Sequence, residues 1–115
     1  MDVTDLIGEY TLTGTNQDSE ATKYKGILKL SLNENSKIIA EWTINNVQKQ
    51  YGIGFFKNNI LVINFYYLDE NNKKYKGVVV YHFLTKDILD GFWSEKHANQ
   101  KYLGIEQCFR IKPYN

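Results

Sequence analysis

The sequence KYKG stands at residues 23–26, ahead of Trp42, and recurs at residues 74–77, ahead of Trp93. In each copy the tyrosine precedes the tryptophan by 18 residues, and the two copies lie 51 residues apart. Four consecutive identities and a matched tryptophan at one fixed offset indicate a duplicated half-domain. We therefore predict one domain that is built from two copies of a single unit.

The two repeats cover approximately residues 8–58 and 59–112 of a single domain that spans residues 1–115. Clusters of Asn, Asp and Ser, which favour tight turns, divide the chain into eight runs at the spacing of about 8–12 residues that is typical of all-β proteins. Within the runs apolar and polar residues alternate, so that Leu28 and Leu30 share one face of the second run. This period of two indicates β-strands rather than helices.

Short loops join every pair of neighbouring runs, so we expect hairpin connections and an antiparallel meander. Such a meander either closes into a barrel or folds into two packed sheets. Closure removes the exposed strand edges that promote aggregation, and glycines on the inward face, such as Gly26, Gly77 and Gly91, allow tight bending. The sequence therefore predicts an all-β fold, an eight-stranded antiparallel up-and-down barrel built from two four-strand repeats offset by 51 residues.

The composition agrees with a compact domain and argues against several classes of protein. Hydrophobic residues make up 43% of the 115 residues and aromatic residues 15%, which is enough for a packed core. The 14 basic and 13 acidic side chains are scattered along the chain, so we expect no nucleic-acid partner, which would need a concentrated basic face. No apolar stretch approaches the about 18 residues that a membrane span requires.

The cysteine content and the first residues bear on the cellular compartment. Cys108 is the only cysteine, so an internal disulfide is excluded. Residues 1–5 are acidic and lack the apolar run of a signal peptide. We therefore expect a cytoplasmic protein, or a secreted one if a leader was removed.

Two local stretches resemble the avidin-type barrels, the shortest members of the calycin group. Residues 8–16, in which Gly-Glu-Tyr leads to Gly-Thr-Asn, are similar to the Gly-x-Trp and Gly-Ser-Asn opening of avidins, and residues 89–93 are similar to their Leu-x-Gly-x-Tyr strand. The resemblance implies a calycin-type eight-stranded barrel. Because Leu12 stands closest to the place of the avidins' ligand-binding asparagine, it does not imply biotin binding. The duplicated Tyr-x-Gly and Trp pattern also resembles small bacterial proteins of unassigned function.

Signatures of catalysis and metal binding are weak. The alternation puts His82 on an outward face and His97 in a turn, so both are expected at the surface. The sequence has no Gly-x-Ser-x-Gly elbow, and its Cys and His residues do not cluster as a structural zinc site requires. We therefore predict a non-enzymatic protein with no catalytic residue, no metal ion and no cofactor. A barrel enzyme that uses Glu106 or Asp90 is the least favoured alternative, since no matched acid–base pair is evident.

The last run leaves the direction of two charged residues open. Glu106 and Arg110 share one face with Tyr102, whereas the opposite face carries apolar residues such as Ile105. Tyr102 corresponds to Tyr51 in the first repeat, an inward candidate, so either the charged pair or the apolar face enters the barrel. Two charges inside would need each other, because an isolated buried charge is costly. We favour the arrangement in which Glu106 and Arg110 are solvated at the surface.

Aromatic side chains on the inward faces form the candidate ligand site. Aromatic walls with a few hydroxyl groups are typical of small-molecule pockets, but they also fill a narrow barrel. The rings that the repeat duplicates are expected to belong to the core, and these are Tyr24, Trp42, Tyr75 and Trp93. Tyr10 and Tyr81, which have no aromatic counterpart, are better candidates for ligand specificity. The full set of candidate ligand-binding residues is Tyr10, Trp42, Tyr51, Tyr81, Trp93, Tyr102, Glu106 and Arg110.

Several apolar residues fall on faces that the alternation assigns to solvent. The fifth run, residues 60–68, is apolar on both faces, and the outward set comprises Ile27, Val78, Val80 and Phe92. A continuous outer apolar patch is unusual on a monomer, and a symmetric dimer is the commonest assembly. These four residues therefore predict a homodimer.

The favoured function is a non-enzymatic barrel that binds a small, mostly apolar ligand in its aromatic-lined interior. The alternative is a protein–protein interaction module with a filled core, which works through the outer face of strands five to seven. An open interior volume favours the first hypothesis. A filled barrel with a large apolar outer face favours the second, and Glu106 inside the barrel beside an opening favours the enzyme.

Overall fold

The structure, a computed structural model, describes residues 1–112 and consists of a short 3-10 helix followed by eight β-strands. Neighbouring strands pair antiparallel in chain order, and the last strand pairs with the first, so the sheet closes on itself. The predicted eight-stranded up-and-down barrel is confirmed. The elements are the helix Val3–Leu6 and the strands β1 Gly8–Thr15, β2 Lys23–Leu32, β3 Ile38–Ile44, β4 Gln48–Lys57, β5 Ile60–Leu68, β6 Lys74–Thr85, β7 Ile88–Glu95 and β8 Gly104–Arg110.

Two of the hairpins are closed by asparagine pairs. Asn45 and Asn46 join β3 to β4 with φ angles of 51° and 64°, and Asn58 and Asn59 join β4 to β5 with the same two values. Two consecutive residues with positive φ form a type I′ turn, whose twist matches that of the flanking strands, and asparagine tolerates this conformation. The expected correspondence between asparagine clusters and tight turns is confirmed at these two places.

Strict alternation of side chains between the two faces of each strand fills the interior. The inward residues of β5, β6 and β7 lie 51 positions after those of β1, β2 and β3, as the buried pairs Leu12 and Ile63 or Leu28 and Val79 illustrate. Burial of such side chains supplies the main driving force for folding. The largest apolar side chains of the interior include Leu6, Tyr10, Leu28, Leu30, Ile38, Leu61, Ile63, Phe83 and Leu89.

The 3-10 helix closes one end of the barrel. The Asp2 carboxylate accepts a hydrogen bond from the Thr4 N–H at 2.9 Å, and the Asp2 N–H donates to the Asp5 carboxylate at 2.9 Å. This reciprocal cap satisfies N–H groups that the helix itself cannot bond. Leu6, at the end of the helix, is buried, and its carbonyl accepts a hydrogen bond of 2.7 Å from the Tyr10 hydroxyl. The helix therefore plugs the barrel with one leucine side chain.

Arg110, the last residue of β8, fastens this plug. Its guanidinium donates to the carbonyl oxygens of Ile7 at 2.8 Å and Asp5 at 2.5 Å and to the Tyr10 hydroxyl at 2.7 Å. Its Nε lies 3.1 Å from a carboxylate oxygen of Asp87, and its Cζ lies 4.8 Å from the centroid of the Tyr10 ring. Burial raises the pKa of Tyr10 to about 12, so the hydroxyl remains a donor to the helix.

The preferred arrangement of the last strand, with Glu106 and Arg110 solvated, is wrong. Glu106 is only 6% exposed and lies inside the barrel. Arg110 is also largely covered, at the end that the helix closes. The two charges do not pair with each other: Arg110 is neutralised by Asp87, and Glu106 is held by hydroxyl groups.

The physical reason is a displacement of β8 relative to the repeat. In β4 the inward residues are even-numbered, with Gly52 and Gly54 against Ile63, so an offset of 51 would turn odd-numbered residues of β8 inward. Residues 96–103 between β7 and β8 form a longer connection than residues 45–47 between β3 and β4. The resulting shift by an odd number of residues exchanges the two faces of the strand.

The outward apolar residues lie where the alternation predicts them. Ile27, Val78 and Phe92 are exposed, and Val80 is half-buried on the same outer face. Within residues 1–112, no helix has the length and apolar character needed to cross a membrane.

We expect Arg110→Ala to destabilise the barrel by about 2–4 kcal/mol, because hydrogen bonds that involve a charged group are each worth about 1.5–3 kcal/mol. The measurement is the urea midpoint of equilibrium unfolding, followed by circular dichroism. Lys112→Ala is the control, since the exposed Lys112 lies 2.9 Å from the same Asp87 carboxylate and a surface ion pair contributes about 0–1 kcal/mol. Equal effects of the two substitutions would show that Arg110 does not fasten the plug.

Candidate functional site

The end of the barrel opposite the helix contains a cavity of about 340 Å³. It lies beneath the loops that join β1 to β2 and β3 to β4, whose residues Asn16 and Asn45 border it. A volume of this size falls at the lower end of the range for small-molecule pockets. The side chains that line its interior are Tyr24, Trp42, Ile44, Gln50, Phe65, Tyr67, Val79, Tyr81, Trp93, Glu95 and Glu106.

Glu106 lies at the centre of a hydrogen-bond network in this cavity. The Tyr24 hydroxyl donates to its Oε2 at 2.6 Å, and the Tyr81 hydroxyl donates to its Oε1. Each hydroxyl oxygen in turn accepts a hydrogen bond from an indole N–H, Tyr24 from Trp93 at 2.9 Å and Tyr81 from Trp42 at 3.0 Å. An indole N–H is only a donor, so each phenol that accepts from it directs its own proton to the carboxylate. Two converging relays thus offset part of the cost of burying the Glu106 carboxylate.

The ionisation of these groups is coupled. Burial raises the pKa of Glu106, and the hydrogen bonds from Tyr24 and Tyr81 offset part of this effect because they favour the charged form. Burial, followed by the nearby charge of Glu106, raises the pKa of both tyrosines well above the usual range. The two phenols therefore remain protonated donors over the whole physiological range of pH.

Glycines on neighbouring strands set the positions of three of these rings. Gly14 pairs across strands with Tyr24, Gly91 with Tyr81, and Gly104 with Trp93. A Cβ atom added to any of these glycines would lie within about 2.6 Å of the opposite ring, and for Gly104 the distance to Trp93 would be 1.9 Å. Each ring occupies the space that a Cβ atom would need, so no other residue fits at these glycines without moving the ring.

The remaining wall of the cavity is aromatic. The Phe65 ring contacts Trp42 and Trp93 edge to face, with centroid distances of 6.1 and 6.2 Å. Nearer the opening, the Tyr67 hydroxyl donates to the Glu95 carboxylate at 2.5 Å. The cavity therefore combines three packed rings with two carboxylates.

Half of the predicted ligand-binding residues come together in this cavity. They are Trp42, Tyr81, Trp93 and Glu106. Tyr10 and Arg110 lie at the opposite end, where they hold the helix. The predicted inward position of Tyr51 is wrong, because it follows the inward Gln50 and is 42% exposed. Tyr102 lies outside β8, in the connection from β7, and its carbonyl accepts a hydrogen bond from Gln17.

Sequence reasoning missed several residues of the site. Tyr24 was predicted as core because the repeat duplicates it, and it is indeed buried, yet its hydroxyl holds Glu106. The repeat places Phe65 at the position of Gly14 and Glu95 at the position of Ile44. It therefore predicts that both residues face inward. An inward acidic residue at the place of an isoleucine was the signal that could have identified this end of the barrel. Tyr75, the duplicate of Tyr24, is only half-buried and stacks on Tyr67 instead.

Comparison with known proteins identifies the architecture and leaves the activity open. No protein-family description matches the sequence, and no curated protein matches it. A redesigned β-barrel is similar over 96% of this chain and 95% of its own, with a TM-score of 0.74 and 13% identity. The redesigned barrel mFAP1, bound to DFHBI, is similar over 95% of this chain and 97% of its own, with a TM-score of 0.67 and 16% identity.

A natural protein has a related fold. A protein of unknown function from Nostoc punctiforme, of the DUF3598 family, matches 96% of this chain with a TM-score of 0.59 and 12% identity. This chain spans about half of that protein, since the match covers 49% of its length. At such identities the likeness concerns the fold alone.

The raised pKa of Glu106 predicts a specific pH dependence of stability. Between the pKa of the unfolded chain and that of the folded protein, only the folded state binds this proton, so the contribution of Glu106 to stability falls as the pH rises. The free energy of unfolding of the wild type, relative to Glu106→Gln, should therefore increase on acidification by up to about 1.4 kcal/mol per pH unit within this window.

The measurement is urea unfolding of both proteins at a series of pH values from neutral to mildly acidic. The difference between them cancels the titration of the other groups. A difference that is independent of pH, or that grows as the pH rises, would show that the pKa of Glu106 is not raised.

Proposed function

We propose that this protein is a non-enzymatic β-barrel that binds one small, mostly apolar molecule in the cavity at its open end. The observation that carries the proposal is the cavity of about 340 Å³ with walls of Trp42, Phe65 and Trp93. Apolar walls with a few polar groups are the usual composition of a small-molecule site. The other end is plugged by Leu6 and Arg110, so this opening offers the route of entry.

Structural neighbours support the proposal at the level of architecture. The redesigned barrel mFAP1 and the protein EF1p2_mFAP2b, with TM-scores of 0.67 and 0.64 to this chain, are both bound to DFHBI. An eight-stranded barrel of this size therefore has room for a small molecule. The resemblance to avidin-type and calycin-type barrels stays a prediction that agrees with this architecture.

Catalysis by Glu106 or Asp90 has weaker support than binding. Glu106 does lie inside the barrel and lines the cavity, as the enzyme hypothesis requires. Asp90, however, is exposed on the outer face of β7 and pairs across strands with His82 and Gln107. Both oxygens of Glu106 already accept hydrogen bonds from phenols that remain protonated. A second acid or base in contact with Glu106 is therefore lacking among residues 1–112, and binding is the better-supported function.

A row of outward apolar residues supports a second candidate function, self-association. Direct cross-strand pairs connect Phe55 to Val62, Val62 to Val80, Val80 to Phe92, and Phe92 to Ile105. The row thus crosses five neighbouring strands, β4 to β8, and Phe55, Phe92 and Ile105 are exposed. Ile27 lies apart from it on β2, between Thr11 and Thr43. We propose a symmetric dimer through this row, which keeps Val80 and Phe92 of the predicted homodimer and leaves out Ile27 and Val78, the latter paired with Asn64 and Ser94.

The binding function predicts a saturable one-site interaction with small neutral aromatic compounds such as indole and 2-phenylethanol. The only two tryptophans, Trp42 and Trp93, both line the cavity, so tryptophan emission reports its occupancy directly. Val79→Phe places a ring in the cavity and should weaken binding by about tenfold or more, which corresponds to about 1.4 kcal/mol.

The control for this experiment is Val47→Phe, the same exchange at a turn residue that is 81% exposed. It should leave the affinity unchanged. Native mass spectrometry of each complex gives the stoichiometry. If neither these compounds nor charged analogues of the same size bind, or if both substitutions weaken binding equally, the cavity is not a ligand site.

The dimer predicts that sedimentation velocity will give twice the mass of the chain at high micromolar concentration. Phe92→Lys should yield a monomer, because a charge at the centre of the row would be buried without a partner. Val47→Lys, away from the row, should leave the dimer intact. A monomeric wild type at that concentration would rule out this assembly.

A further inference from the structure

We propose that the ligand of this cavity is an organic cation, an aromatic or alkyl body with a protonated amine that Glu106 binds. This inference rests on the proposed ligand-binding function and adds the chemical class of the ligand. Three observations carry it: the partners of Glu106, the balance of charge around the cavity, and the arrangement of the rings.

Glu106 is a buried carboxylate whose partners are all neutral. Both contacts are phenol hydroxyl groups, from Tyr24 and Tyr81. The other charged residue on the inward face of β8, Arg110, is occupied at the far end by Asp87 and by backbone carbonyls. An ionised carboxylate offers about four acceptor sites, which is more than the two phenols and the nearby Trp42 N–H use. Because Glu106 lines the cavity, an N–H group of a ligand can reach this acceptor.

The charge around the cavity is negative. Two carboxylates, Glu106 and Glu95, line it, and the one basic residue of its lining is Lys23, which is exposed at the rim. A buried carboxylate without a counter-charge is costly, and a cation of matched position offsets that cost. An anionic ligand would meet repulsion from both carboxylates at low dielectric. The site therefore selects a positive charge.

The rings favour the same choice. The N–H groups of Trp42 and Trp93 donate to the two tyrosine hydroxyl groups. Phe65 contacts both indoles edge to face. An aromatic face attracts a cation, and tryptophan does so most strongly. The cavity thus presents a carboxylate beside π-systems, a combination that suits an ammonium group attached to an apolar body.

Three probes of nearly equal size and different charge test the proposal: 2-phenylethylammonium, 2-phenylethanol and 3-phenylpropanoate. Each is titrated into the protein of residues 1–115 at neutral pH, with calorimetry and tryptophan emission as readouts. The ammonium should bind at least about tenfold more tightly than the alcohol, and the carboxylate most weakly, because a charge-assisted hydrogen bond is roughly twice as strong as a neutral one. Glu106→Gln should abolish the preference for the ammonium over the alcohol.

The control is Glu41→Gln, which removes an exposed carboxylate from the outer face of β3 and should leave all three affinities unchanged. If Glu106→Gln does not fold, the ranking of the three probes on the wild type decides whether the site prefers a cation. Equal or tighter binding of the alcohol or the carboxylate overturns the cationic assignment and leaves the proposed function standing. If neither these probes nor the neutral compounds bind, the proposed function fails as well.

Discussion

The pairing of β8 with β1 is the constraint on which the rest of the molecule depends. It closes the sheet, so that no strand edge of the barrel remains open. It also brings Gly14 opposite Glu106 and Tyr10 opposite Arg110. Because successive inward residues of a strand are two positions apart, one short strand delivers a carboxylate to the open end and a guanidinium to the closed end. The register of this single seam therefore fixes both ends of the barrel.

The two charged residues show how one strand face serves opposite purposes. Arg110 is surrounded by acceptors, namely carbonyl oxygens and the Asp87 carboxylate, and it seals the barrel. Glu106 accepts hydrogen bonds from two neutral phenols and lines the cavity. The buried Cys108 lies between them, and burial raises the pKa of its thiol, so it acts as a small apolar spacer. The charge of Arg110 is fully compensated at the closed end, whereas the charge of Glu106 is only partly compensated at the open end. This difference distinguishes the plug from the candidate site.

Most of the fold was predictable from the sequence, because the interior faces of six strands obey one rule. The period of two and the offset of 51 together assign the inward residues of β1 to β3 and β5 to β7. The same offset fails at β8, because the longer connection before it shifts the strand by an odd number of residues. Gln17 fastens that connection, with hydrogen bonds of 2.7 Å to the Tyr102 carbonyl and 2.8 Å from the Glu95 N–H. Nothing in the repeat predicts a contact so distant in sequence.

The site was only half predictable for a related reason. The repeat correctly pairs Trp42 with Trp93, and both donate to a tyrosine hydroxyl. Those tyrosines, however, come from positions that the repeat does not relate, because Tyr24 matches Tyr75 and Tyr81 matches Leu30. Two indoles that the repeat relates therefore donate to two tyrosines that it does not relate. The sequence shows where rings are duplicated, whereas the choice of hydroxyl partners depends on distances across the barrel.

The relay from two indoles through two phenols to Glu106 also has a mechanical meaning. Its members come from β2, β3, β6, β7 and β8. Each of its four hydrogen bonds joins two strands that are not neighbours in the sheet, so the relay connects opposite sides of the barrel through the interior. The opposite end obtains its rigidity from the helix that plugs it, but the open end has no such lid in the described chain. Its cross-section is therefore held from within, by the same side chains that form the floor of the cavity.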